Sequence, residues 1–138
     1  MLNIFRRNKE FIKIGKINKK ILNVYKNKIF SYTVILTNER CKHIEEKHNL
    51  KYKKIKKQIK KILKKPDYIL DDNKHTETII LLKEIKKINK KYRLVIKLEL
   101  KNKKHKNSII TFMELNNRSY MQTLNNRGNI IYFMDKNE

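Results

Sequence analysis

Along this chain the spacing of apolar positions changes near Thr76, from three and four residues to two. KYKKIKKQIKKILKKP, Lys51 to Pro66, sets Tyr52, Ile55, Ile59, Ile62 and Leu63 three or four apart, one apolar face of a helix. Pro66 stops that helix, and PDYIL reads as a turn into a strand. Upstream, YTVILT, Tyr32 to Thr37, is a strand, and Thr37 or Asn38 caps a helix that ends near Asn49, with Glu39 favourable in its first turn. FIKIGKI and KILNVYK, between Phe11 and Lys26, read as two short strands around Lys19. Beyond Thr76, TETIILLKEI, KYRLVIKLEL and NSIITFMEL are β-rich runs separated by polar clusters. Three antiparallel strands joined by hairpins are the economical reading. The tail forms a short helical or irregular stretch, a turn at Asn126, Arg127 and Gly128, and a last strand from Asn129 to Met134.

The order of these elements predicts an α+β fold: two helices in the N-terminal half packed on a mostly antiparallel sheet of four to five strands. A chain of 138 residues with one proline and two glycines suits one domain without a linker. Residues 31–134 form its core, and residues 1–30 an N-terminal extension or hairpin. Alternation within RLVIKLEL puts Leu94, Ile96, Leu98 and Leu100 on one face of the sheet and Arg93, Val95, Lys97 and Glu99 on the other. Lys97 therefore points away from the main core.

Charge narrows the partners. Thirty-six Lys plus Arg against thirteen Asp plus Glu give a formal +23, a field that attracts nucleic acid or anionic membrane. The absence of Ala and Trp and the crowding of Lys, Asn and Ile also fit codon drift in an AT-rich genome, which explains many lysines but not the shortage of acids. A lone Cys41 excludes an internal disulfide and a multi-thiolate metal site, and points to a reducing cytoplasm. No run approaches the roughly 18 apolar residues of a membrane span, and the N-terminus lacks a signal-peptide core.

Candidate chemistry concentrates in TNERCKHIEEKH, Thr37 to His48. At about 100° per residue His48 falls beside Cys41 and Ile44, and His43 beside Arg40 and Lys47. The imidazoles do not share a face, and a spacing of five is not the i, i+4 pair of a zinc site, so no metal ligand is assigned. His48 has a structural alternative as a buried imidazole or a helix C-terminal cap, His43 as an ordinary exposed residue. Flanking cations disfavour the protonated form of His43, which suits a general base, and either histidine is a candidate for that role. The lysines of the second helix, Lys53, Lys56, Lys57, Lys60 and Lys61, with Lys104 and Lys106 of the KNKKHK cluster, are a phosphate-tracking surface or simply a solvated face. In NSIIT, strict alternation puts Ser108 and Ile110 opposite Ile109 and Thr111, and one of the two hydroxyls is a candidate donor to a phosphate oxygen.

The order T-x-x-R-x-x-H-I-x-x-x-H, second helix, K-P-D-Y-I, V-I-K-L and N-S-I-I-T resembles the phage and toxin branch of the barnase, EndoU, colicin and RelE-like nucleases, the BECR fold. The resemblance covers roughly Tyr32 to Met134. It implies a small α+β, metal-independent endoribonuclease without a cofactor, a phage-encoded or toxin effector in a host bacterial or phage-infected cytoplasm, with RNA as substrate and a cognate immunity or antitoxin protein as partner. Carried onto this sequence, it implies a catalytic set of Arg40, His43, His48, Lys97 and Ser108 or Thr111, with Pro66 and Asp67 structural. The chemistry implied is attack of the ribose 2'-hydroxyl on phosphorus, giving a cyclic phosphate. A non-catalytic basic nucleic-acid-binding protein is the main alternative, since it needs the charge and not the histidines.

Overall fold

The computed structural model describes residues 10–18, 25, 28–48, 51–102 and 106–134. Its elements are β1 (Phe11–Lys16), β2 (Thr33–Thr37), α1 (Asn38–His48), α2 (Tyr52–Lys64), β3 (Tyr68–Asp72), β4 (Thr78–Ile85), β5 (Lys90–Lys97), β6 (Asn107–Leu115), α3 (Asn117–Asn126) and β7 (Gly128–Phe133). A single 3-10 turn, Lys86–Ile88, links β4 to β5. The strands and helices expected from the spacing are present, most within a residue or two; β5 stops at Lys97, three residues short of the expected Leu100, and the strand expected at KILNVYK lies almost wholly outside the described residues.

The architecture corrects the expected one. Among the described residues seven strands, not four or five, form one mixed sheet in the order β1-β2-β6-β5-β4-β3-β7, and three helices cover it rather than two. Local periodicity finds strands but not their distant neighbours. β2 pairs with β6 in parallel over only Val34 to Asn107 and Ile35 to Ser108, and β7 returns across the chain to pair with β3. The hairpins β4 to β5 and β5 to β6 are antiparallel as expected.

Two apolar layers result. On one face α1 and α2 lay Cys41, Ile44, Ile55, Ile59, Ile62 and Leu63 against Ile69, Ile79, Leu81, Leu94, Ile96 and Leu98. Burying each of the larger aliphatic side chains contributes about 1.5–3 kcal/mol. Tyr92 stacks on Phe112 within this layer, ring centroids 5.4 Å apart. The packing is close enough that a Cβ at Gly15 would sit 3.0 Å from Leu63 Cδ1. On the other face α3 covers a smaller cluster of Leu70, Ile80, Leu82, Val95, Leu115 and Tyr120. It covers only part of that face, and the bare remainder is where Lys97 emerges.

Pro66 is buried, and Asp67 fastens the turn that follows it. Its carboxylate accepts from the Glu84 backbone at 2.8 Å and from Lys83 Nζ at 3.2 Å. Among the described residues no helix is long and apolar enough to cross a membrane.

Candidate nucleic-acid cleft

The bare part of the α3 face is a cleft of about 660 Å³. Its floor comes from strand register: Thr78 stands opposite Lys97 across β4 and β5, and Val95 opposite Thr111 across β5 and β6. Thr111 reaches this face through a β-bulge. Val95 pairs with Thr111 but Ile96 with Ile109, so Ile110 is an extra residue, and Ile110 and Thr111 both line the cleft. Strict alternation places Thr111 opposite Ile110; the bulge reverses that expectation, because an inserted residue resets the pleat.

The far wall is built by a close backbone approach. A Cβ at Gly128 would lie 1.8 Å from the Asp71 carbonyl oxygen, so only glycine lets β7 start there. The Asn73 backbone N–H donates to the Arg127 carbonyl at 2.8 Å, and Asn73 Nδ2 to the Asn126 carbonyl at 3.1 Å. These bonds staple the segment after β3 to the end of α3. They bring Arg127, from the C-terminal end of α3, to Asp72, Lys74 and His75, all lining residues. At the end of this segment Glu77 holds a left-handed backbone, φ 59°, which costs a non-glycine residue about 1–2 kcal/mol.

Electrostatics in the wall are lopsided. The Asp72 carboxylate is 1% exposed and accepts from Arg127 Nη2 at 3.3 Å, while His75 Nδ1 stands 3.5 Å away. Among the described residues Arg93 has no carboxylate of its own: Nη1 donates to Thr123 Oγ1 at 3.2 Å and Nη2 to the Met113 thioether at 2.8 Å, a weak acceptor. The Nε atoms of Arg93 and Arg127 are buried without a hydrogen-bond partner among the described residues. Burial and the neighbouring Arg127 push the Arg93 guanidinium below its ordinary value, against the opposing pull of Asp72. A guanidinium stays charged in proteins all the same. Two cations thus gather about one buried anion, and an added phosphate would relieve the imbalance.

The candidates named from sequence divide between two places. Lys97 and Thr111 line the cleft; Ser108, half-buried and in register with Lys97, does not. Asn107 is a structural fastener: its Nδ2 donates to the Ser31 carbonyl at 2.6 Å and its Oδ1 accepts from the Glu99 backbone at 2.9 Å. On α1, capped by Thr37 Oγ1 accepting from the Arg40 N–H at 3.1 Å, Arg40 and His43 are exposed and outside the cleft lining. His48 is half-buried at the helix end. Burial first, then the charges of Lys47, His43 and Arg93, lower its pKa from 6.5 and favour the neutral ring. Cys41 is buried with its thiol pushed up to about 12 by burial and by Glu45, which leaves no thiolate nucleophile.

Lys53, Lys57, Lys60 and Lys61 of α2 are exposed, Lys56 and Lys106 half-buried, and Lys104 lies outside the described residues. Sequence reasoning missed Asp72, His75, Arg93 and Arg127. Arg93 had a signal, since alternation already set it on the Lys97 face; His75 had only a weak one, a histidine three residues after an aspartate at a strand end. No group of three or more His, Cys, Asp or Glu side chains placed to hold a metal ion occurs among the described residues.

A strand-floored cleft rich in cations, on a sheet with helices on both faces, is the setting of a polyanion-processing domain. The chain belongs to the phage-Barnase-EndoU-ColicinE5/D-RelE like nuclease 2 family, whose model matches residues 9–133. The chain has no match among curated proteins or among solved structures.

Proposed function

We propose that this nuclease is an endoribonuclease that cleaves RNA by 2'-hydroxyl transesterification in the cleft beneath α3. The observation that carries the reading is the under-neutralised pair Arg93 and Arg127 around the buried Asp72, a setting in which a phosphodiester supplies the missing negative charge. Lys97 adds a third cation, and the Thr111 hydroxyl is a donor to a non-bridging oxygen as charge builds; the Thr78 hydroxyl already donates to the Thr76 carbonyl at 3.1 Å.

Proton transfer falls to imidazoles. A base takes the 2'-hydroxyl proton as that oxygen bonds to phosphorus; the bond to the 5'-oxygen breaks, and an acid protonates the leaving oxygen. The products are a 2',3'-cyclic phosphate and a 5'-hydroxyl. His75 lines the cleft with Nδ1 toward Asp72, an arrangement that leaves Nε2 for the substrate. On α1, which packs on the opposite face of the sheet, His48, held toward its neutral form, and the exposed His43 beside Arg40 are the alternative acid-base set, outside the cleft lining. Ser108 stands in register with Lys97 as the second hydroxyl candidate. No metal ion enters this scheme.

The test is total RNA incubated with the protein in EDTA, beside a His48→Ala, His75→Ala double variant. Fragments ending in cyclic phosphate from the parent alone are expected; equal cleavage by a folded double variant overturns the assignment. The rival, a non-catalytic RNA binder, draws on the +23 charge and predicts salt-sensitive binding with no product. An effector role, phage-encoded or toxin-like with an immunity partner, belongs to the same proposal: expression of the parent arrests bacterial growth, and expression of the double variant does not.

A further inference from the structure

Away from the cleft, the last turn of α2 and the β4 to β5 connection enclose a second concavity of about 430 Å³. Lys61, Lys64 and Lys65 come from one side and Lys86 and Lys87 from the 3-10 turn on the other, over a floor that includes Ile85. The two acids nearby are already used: Asp67 pairs with Lys83 at 3.2 Å and Glu84 with Lys91 at 3.5 Å. The five other lysines make no ion pair among the described residues.

Holding five like charges around one groove works against folding, and a counter-anion reverses that cost. Ammonium groups are point charges without the fork that reads a base edge, so the ligand they fit is a run of phosphates irrespective of sequence. A membrane surface fits less well, because the apolar face of α2 is spent in the core and has nothing left to insert.

The groove is not an extension of the cleft. Thr78 lines the cleft and Ile85 the groove; they lie at opposite ends of β4, on the order of 23 Å apart at roughly 3.3 Å per residue. A helical strand advancing roughly 3.4 Å per nucleotide needs about seven nucleotides to span that distance.

We propose that the groove between α2 and the β4 to β5 turn is an RNA exosite, gripping backbone phosphates at least several nucleotides from the bond cut in the cleft. This rests on the ribonuclease reading, and it makes the preferred substrate a long strand rather than a short oligonucleotide. The test compares the full chain with its K64E/K65E/K86E/K87E variant on a 40-nucleotide RNA and on a dinucleotide, with circular dichroism to check folding and K64Q/K65Q/K86Q/K87Q as a milder second variant. The expected result is a KM for the long RNA raised at least tenfold, kcat little changed, dinucleotide cleavage unchanged, and a log-log salt slope of long-RNA binding reduced by about two to three. A long-RNA KM within twofold of the parent overturns the exosite, as does an equal loss on both substrates, or a loss of binding to anionic vesicles with RNA binding intact. If the parent cleaves neither substrate, the nuclease reading fails, while the salt slope of RNA binding still decides the groove.

Discussion

The two faces of the sheet are built on opposite principles. Under α1 and α2, side chains from Ile14 to Phe112 interlock in one continuous apolar layer, most of them fully buried. Under α3 the apolar cluster is small, and beside it Arg93 and Arg127 sit partly buried with incomplete partners. The first face is where stability comes from. On the proposed reading, the second gives some of that stability up to keep an anion site preorganised, as expected where function and folding compete for the same positions.

Exchanging chemistry between the faces should separate activity from stability. Arg93→Met, which removes a cation without opening a cavity, should slow RNA cleavage about 10²–10³-fold and leave unfolding free energy within about 1 kcal/mol, since like-charge crowding with Arg127 is relieved as the Thr123 bond is lost. Steady-state kinetics with urea titration checks both halves, and a large stability loss with intact cleavage would merge the two faces. The reciprocal change is Ile59→Ala in the α2 stripe. It should cost about 2–5 kcal/mol while leaving kcat of the folded protein unchanged.

Gly128→Ala sharpens the contrast because it strikes the hinge between the regions. Its methyl meets the Asp71 carbonyl, so β7 must shift, at about 1–3 kcal/mol. Arg127 moves with it, and cleavage should fall more than stability explains.

The smallest effect expected is on pH. The folded pKa of His48 lies below 6.5, so between the two values the unfolded chain binds the proton that the folded one refuses. The neutral ring costs nothing above about 6.5, and stability is lost as pH falls from there through the folded value. Thermal melts from pH 7.5 to 5 should show this slope in the parent and a shallower one in His48→Gln; parallel slopes would mean the ring is not held neutral.

What the sequence made legible follows the same division. The α2 stripe is a local pattern, as is the alternation that sent Lys97 away from Leu94 and Ile96, and both are found in the structure. The parallel contact of β2 with β6, the return of β7 to β3 and the bulge at Ile110 depend on partners far along the chain, for which periodicity carries no information. The cleft wall is assembled from such contacts: Arg93 and Arg127 are distant in sequence, and the link from Asn73 to Arg127 joins them to His75. The helical motif drew attention to α1 because its histidines are close in sequence, whereas the histidine lining the cleft stands alone after β3.

The most direct test of the central claim is a ¹⁵N NMR titration of the arginine Nε–H signals with an RNA dinucleotide whose attacking hydroxyl is replaced by hydrogen, so that it binds without being cut. The Arg93 and Arg127 resonances should move together and saturably, with the Arg40 signal little affected. Saturable shifts confined to α1, with the Arg93 and Arg127 signals unmoved, would contradict the cleft as the seat of chemistry.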